Sequence, residues 1–376
     1  MTSRDWSSDV CSSDLRFMAA TISLCMIVRN EEKVLARCLE SVRGCVDEIV
    51  IVDTGSSDAT KEIAARYTDR IYDFEWIDDF SAARNYAFEQ ATGDYLLWLD
   101  ADDVLLPTDA AALRRYKDEQ LAGCDVVMLR YNTAFDELGR PTFFFYRERL
   151  IRRTLPHRWV GRVHEVVVHS GTVVYAEIAV THKSVKAVYG DRNLRIYEKQ
   201  IADGETLSPR ELFYYGRELY YHGRYDDAQR VLLSFLGTGE GFLENCIDAC
   251  LLLAHCRRAA GDDAGEARAL CESFLYDVPR ADVCCALGNV FLRRAEYRTA
   301  IHWFTQATLC PRGGQGGGFV NEDAFGYIPY LQLCVCYDRL GEREAAAHYN
   351  RLAGEIRPES PQVLQNRAYF ASLGVS

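Results

Sequence analysis

The chain has 376 residues and a formal charge of -12, with 48% hydrophobic residues, which is an ordinary globular composition and too much chain for one typical core, so two domains are expected. The acidic balance, without a basic stripe to offset it, excludes a nucleic-acid binder. No apolar stretch approaches the roughly 18 residues that a membrane span needs. The 14 cysteines include no paired C-x-x-C, and many sit inside helical patterns. They read as reduced, buried thiols of a cytoplasmic protein, at most peripheral to the inner face of the membrane.

Residues 1–17 have no periodicity and lack the positive start and apolar centre of a signal peptide. The stretch resembles a translated sequencing-adaptor peptide, with the natural start at Met18. From Thr21 a β-rich apolar run reaches Val28 and stops at Arg29-Asn30. A helix over 31–42 follows, ended by Gly44. A second strand over 48–52 runs into Asp53-Thr54-Gly55-Ser56-Ser57-Asp58, a βα turn before a helix over 59–67. A short strand at 70–74 precedes a helix that Ser81 can cap and that ends near Gln90. Arg84 and Asn85 lie in its first turns, where a cation opposes the helix dipole, so Arg84 is expected to serve a partner.

The run Tyr95-Leu96-Leu97-Trp98-Leu99 reads as a strand buried on both faces, and it ends in Asp100, Asp102 and Asp103. Ligands of open α/β sheets bind beyond the carboxyl ends of strands. Alternation along an extended chain would put Asp100 and Asp102 on one side, where two hard oxygens suit a divalent cation completed by phosphates. Further strands are expected at 125–131 and 172–180, with a hairpin arm at 143–151. Between them stands the polar and aromatic cluster His157-Arg158-Trp159-Val160-Gly161-Arg162-Val163-His164-Glu165.

After about Arg210 the period becomes helical. Gly216, Ala254, Gly288 and Cys334 recur near the ~34-residue period of tetratricopeptide repeats. Gly223, Gly261, Ala295 and Gly341 follow at one constant offset. Ala228, Ala300 and Ala346 follow at a second, with Ala267 one residue late. The Gly-rich run 313–318 is a flexible insertion, not a phosphate loop, because no strand precedes it and no Gly-Lys-Ser/Thr follows. A helix over 362–373 would cap the array.

Four motifs, Val28-Arg29-Asn30-Glu31-Glu32, Val52 to Asp58, Ser81-Ala82-Ala83-Arg84-Asn85 and Leu99-Asp100-Ala101-Asp102-Asp103, together resemble family 2 glycosyltransferases of the GT-A fold. The chain looks most like the bacterial branch fused to tetratricopeptide repeats, with peptide S-glycosyltransferases and lipooligosaccharide glucosyltransferases. The resemblance implies a Rossmann-like α/β domain over 18–190, a linker helix over 191–209 and an all-α repeat domain over 210–376. It further implies a nucleotide-diphosphate sugar donor, Mg²⁺ or Mn²⁺, and inversion at the anomeric carbon. Asn30, Glu31, Asp53, Arg84, Asn85 and Asp100 would hold the nucleotide sugar. Asp100, Asp102 and His182 would hold the metal, and Glu165 would be the catalytic base. Thr54 departs from the family, where many relatives carry a second Asp.

The repeats are expected to hold a peptide or glycan acceptor and not the donor, with one or two of Tyr214, Tyr215, Tyr220 and Tyr221 left for stacking. A homodimer contact is the alternative role of the array. A non-catalytic nucleotide-binding interaction protein is the competing reading, and intact Asp100-x-Asp102 and Arg84-Asn85 weigh against it. A sugar-1-phosphate nucleotidyltransferase would need a Gly-rich basic loop after the first strand, where Arg29-Asn30-Glu31-Glu32 stands.

Overall fold

The computed structural model describes residues 20–185, 190–312 and 318–375. The expected leader and most of the Gly-rich insertion lie outside the described residues. β1 (Ile22–Val28), α1 (Leu35–Ser41), β2 (Glu48–Asp53), α2 (Thr60–Ala64), β3 (Ile71–Asp73) and α3 (Phe80–Glu89) alternate along the chain. β4 (Tyr95–Trp98) and β5 (Asp103–Leu105) flank a tight turn, and α4 (Pro107–Glu119) follows. β6 (Val126–Phe135) and β7 (Pro141–Arg152) form a long hairpin. β8 (His157–Val160) pairs with β9 (Val166–His169) in a small second sheet, and β10 (Val173–His182) closes the α/β part.

The main sheet runs β3-β2-β1-β4-β7-β6-β10-β5. It is parallel from β3 to β4, antiparallel where the hairpin enters, and parallel again between β6 and β10. Strand alternation explains its two cores. Ile22, Leu24 and Met26 face one way and pack with Leu35, Leu39 and Leu113. Cys25 faces the other with Val50, Val52, Leu96 and Trp98, against Ala87, Phe88 and Trp159. With both faces covered, each buried Leu, Ile or Val contributes about 1.5–3 kcal/mol, and the runs read as continuously apolar.

Two local expectations are corrected. The cap of α3 is Asp79, whose side chain accepts from Ala82 N, while Ser81 lies inside the helix and donates its hydroxyl to Asp79. The acid-tipped run does not stay extended: Asp103 N donates to Asp100 O at 3.0 Å, a turn that ends β4 and starts β5.

The rest is helical. α5 (Arg192–Ala202) leads to α6 (Pro209–Tyr221) and α7 (Tyr225–Gly237), then α8 (Leu243–Ala259) and α9 (Asp263–Glu272). α10 (Ala281–Arg293) and α11 (Tyr297–Leu309) form the third pair. After β11 (Val320–Asn321) come α12 (Tyr327–Arg339), α13 (Arg343–Ile356) and α14 (Pro361–Ser372). The repeated small residues sit where paired helices touch: a Cβ on Gly216 would lie 2.7 Å from Leu232, and one on Gly288 2.6 Å from Phe304. The turn positions Gly223, Gly261, Ala295 and Gly341 all have positive φ, which costs the lone alanine most. The cysteines of the described residues are free, and most are buried.

The two parts clasp each other. β11 adds to the main sheet, pairing Val320 with Phe144 and Asn321 with Phe143. At the hairpin tip Arg140 donates to Ile356 O at 2.7 Å, and Arg357 pairs with Asp323 and reaches Glu137 at 3.9 Å.

Candidate active site

A cleft of about 620 Å³ opens at the carboxyl ends of β1 and β4, and its far wall is made by α5, α6 and Phe319. At its centre is Arg84, a buried residue whose Nε donates to Glu165 Oε1 at 2.6 Å and whose terminal nitrogen donates to Asp100 Oδ1 at 2.8 Å. Its guanidinium carbon lies 4.9 Å from the rings of both Trp98 and Trp159. Burial alone would lower its pKa, but Asp100 and Glu165 reverse that and raise it. The misfit cation of α3 thus has two partners, brought from β4 and from the loop after β8.

Asp100 feels the converse. Burial pushes its pKa up, and Arg84 with Arg149 more than offsets this and holds it at about 2. Because the chain turns between Asp100 and Asp103, strand alternation does not apply, and Asp100 is not in the metal-competent group. That group is Asp102, Asp103 and His182, with ligand atoms within 4.8 Å of one another. Asp103 replaces Asp100 there, but its oxygens are already engaged. Tyr131 Oη donates to it at 2.8 Å, Asp100 N at 3.1 Å, and the fully buried Arg149 pairs with it at 3.1 Å. His182 Nδ1 lies 2.9 Å from Tyr131 Oη, 3.5 Å from Asp103 and 3.6 Å from Asp102, and these carboxylates, Asp103 first, raise its pKa against the effect of burial. Asp102, Asp103 and His182 together are the group that could hold a divalent ion, and Asp103 also holds the turn.

Asn85 is not among the residues that line the cleft. Its amide donates to Trp159 O at 3.0 Å and accepts from Trp159 N at 2.9 Å, so it pins β8 to α3. Asp53 is buried; its Oδ2 accepts from Gly55 N at 3.0 Å and Ser56 N at 2.9 Å. Its Oδ1 has no hydrogen-bond partner among the described residues. Thr54, Asn30 and Glu31 line the cleft beside it. Asn30 sits at φ 55° and accepts from Ser57 N at 2.8 Å, which ties the end of β1 to the turn after β2.

The loop carrying Glu165 is shaped by Gly161 at φ 92° and His164 at φ 52°. His164 stacks on Tyr214 at 4.4 Å, and its Nε2 meets Glu218 Oε1 at 2.6 Å. Burial lowers its pKa, against the pull of Glu218, so the neutral ring donates to that carboxylate. Of the four tyrosines, Tyr214 is buried in the cleft wall, Tyr215 and Tyr220 are half-buried, and Tyr221 is exposed at 54%. Arg147, Arg192, Arg210 and Arg217 also line the cleft. No local pattern marks the last three, which lie on helices after the α/β part.

An α/β sheet with acids and a buried arginine at its carboxyl edge, walled by helical pairs, defines a ligand-binding catalytic domain joined to a repeat array. Residues 23–177 match the family model described as Glycosyl transferase family 2. This stretch is thus similar to family 2 glycosyltransferase domains, and helical pairs follow it. The chain is 49% identical over 148 residues to a TPR repeat-containing protein of Synechococcus elongatus, covering 39% of this chain and 36% of that one. It is 26% identical over 250 residues to the SPbeta prophage-derived glycosyltransferase SunS of Bacillus subtilis, covering 62% of this chain and 58% of the relative. Among solved structures MamA resembles it with a TM-score of 0.35 and 18% identity, over 43% of this chain and 85% of that chain. No helix among the described residues is long and apolar enough to cross a membrane.

Proposed function

We propose that the chain transfers a sugar from a nucleotide-diphosphate donor to an acceptor, with inversion. The observation that supports it most is the bridge of Arg84 between Asp100 and Glu165, which puts the acidic turn and a candidate base in one cleft. Glu165 takes the proton of the acceptor nucleophile as that atom bonds to the anomeric carbon, and the bond from that carbon to the diphosphate oxygen breaks. Asn30, Glu31 and the uncommitted Oδ1 of Asp53 serve the nucleotide, and Asp100 orients Arg84. Asp102 and His182 would hold Mg²⁺ or Mn²⁺, which supplies positive charge to the departing diphosphate. The acceptor is a peptide, a lipid-linked glycan or a polysaccharide; a peptide acceptor is in keeping with the helical array, which forms a concave surface.

The test is nucleoside diphosphate release from a panel of nucleotide sugars with Mn²⁺. Glu165→Gln should bind donor normally while transfer falls by roughly 10² or more. Transfer at the parent rate would assign the base elsewhere, and no release from any donor would remove the enzymatic reading.

A further inference from the structure

We propose that α5 and α6, outside the family 2 domain, supply a guanidinium wall that binds the phosphate oxygens of the donor diphosphate, so that the repeat region takes part in donor binding. The inference rests on the transferase reading for the identity of the anion, but its geometry is independent of it. Arg192, Arg210 and Arg217 all line the cleft that holds Asp100, Asp102 and Glu165. None of the three makes an ion pair among the described residues. Arg84 and Arg149, by contrast, are committed to carboxylates.

What the three arginines touch instead is aromatic or neutral. Arg192 lies 4.5 Å from the Phe80 ring and otherwise reaches its neighbour Asn193 at 3.4 Å. Arg210 donates to His164 O at 3.1 and 3.2 Å and lies 4.7 Å from the Tyr214 ring. Arg217 lies 4.4 Å from the same ring and has a terminal nitrogen 3.5 Å from His164 Nδ1, with its Nε buried and unpartnered. Ring stacking covers the faces of a guanidinium, while its edge N–H groups are what bind oxygen anions in a fork. The nearest carboxylate on α6, Glu218, is engaged by His164 and Asn193. Arg217 is half-buried with its Nε unpartnered, Arg210 spends Nε and a terminal nitrogen on one neutral carbonyl, and none of the three has a carboxylate among the described residues to neutralise it. A half-buried cation without a counter-charge is costly unless a ligand supplies the anion.

A diphosphate suits this cleft because its two sides differ. Asp102 and His182 offer a cation site on the sheet side, and the arginines offer direct charge on the helix side. Donor contact from this region departs from the expectation that the repeats do not bind the donor.

The experiment is titration calorimetry on the full-length protein with inorganic pyrophosphate, nucleoside diphosphates and free nucleosides, in Mg²⁺ and in EDTA. Arg192→Ala and Arg217→Ala are compared with the parent; Arg192 is exposed, so its loss leaves the fold intact, and unliganded melting temperatures monitor both. Pyrophosphate and diphosphate affinity should fall about 10-fold or more in each variant, in EDTA as well, with nucleoside affinity unchanged. Unchanged diphosphate affinity in both variants overturns the proposal, as does an equal fall in nucleoside affinity, which would assign the loss to the fold of the cleft rather than to phosphate contacts. If no nucleotide sugar is turned over but pyrophosphate binds through these arginines, the transferase reading falls and the anion wall stands.

Discussion

Arg84 shows how one side chain can organise a site. It neutralises two carboxylates from different elements, Asp100 at 2.8 Å and Glu165 at 2.6 Å. Removing it leaves the half-buried Glu165 and the more exposed Asp100 without their partner, so Arg84→Ala should cost roughly 1–3 kcal/mol in urea unfolding, less than a fully buried pair because solvent screens Asp100, and abolish turnover. Arg84→Lys should recover little, because an ammonium cannot reproduce a fork with Nε on one acid and a terminal nitrogen on the other. Asn85, one residue on, behaves differently. Its two hydrogen bonds to the Trp159 backbone are structural, so Asn85→Ala should cost about 1–3 kcal/mol while leaving nucleotide affinity per folded molecule unchanged. A loss of affinity without loss of stability would return Asn85 to the ligand.

At the scale of elements, the repeats depend on helix contacts too close for a side chain. Gly288→Ala gains up to about 1 kcal/mol of helix propensity. A Cβ there would stand 2.6 Å from the fully buried Phe304 ring, a clash worth about 1–3 kcal/mol, so a net fall in melting temperature is expected. Gly237→Ala, with nothing within 4 Å of the new Cβ, is the control and should be neutral or stabilising. The second repeat also stores a pH dependence. Asp248 on α8 is pushed up from 3.8 to about 7, by burial first and by Asp282 and Glu244, with Arg280 and Arg217 opposing. A carboxyl that holds its proton more tightly when folded destabilises the fold as pH rises from about 4 to about 7, and the cost stays constant above that. Asp248→Asn should therefore stabilise the fold at pH 8 by on the order of 1 kcal/mol or more, read as a higher melting temperature, and change little at pH 4.

At the scale of the whole molecule, the two parts close on one another at both ends of the cleft. His164 meets Glu218 at one side, while β11 and the hairpin tip reach the last repeats at the other. Val163, Trp76 and Phe80 pack into the same apolar cluster as Ile196, Tyr197 and Phe213. A chain cut after residue 190 should thus lose donor binding together with transfer and expose this cluster. Binding of a hydrophobic dye and a broadened thermal transition would report it; a compact fragment that still hydrolyses donor would contradict the clasped arrangement.

Local sequence was enough for the order of strands and helices up to the acidic turn, for the repeat period, and for the inference that Arg84 needs a partner. Periodicity and turn chemistry act over a few residues, and each of these features is written within such a window. It misplaced the cap of α3, and it grouped Asp100 with Asp102 by alternation where one turn brings Asp103 and His182 beside Asp102. The partners themselves were set by tertiary structure: Arg84 and Glu165 are 81 residues apart, and His164 and Glu218 are 54. Which side chains meet across such distances depends on how the sheet, the small β8-β9 sheet and helices α5 and α6 cross in space, and no local pattern carries that. Three arginines of α5 and α6 accordingly become cleft residues only once the repeats fold back over the sheet.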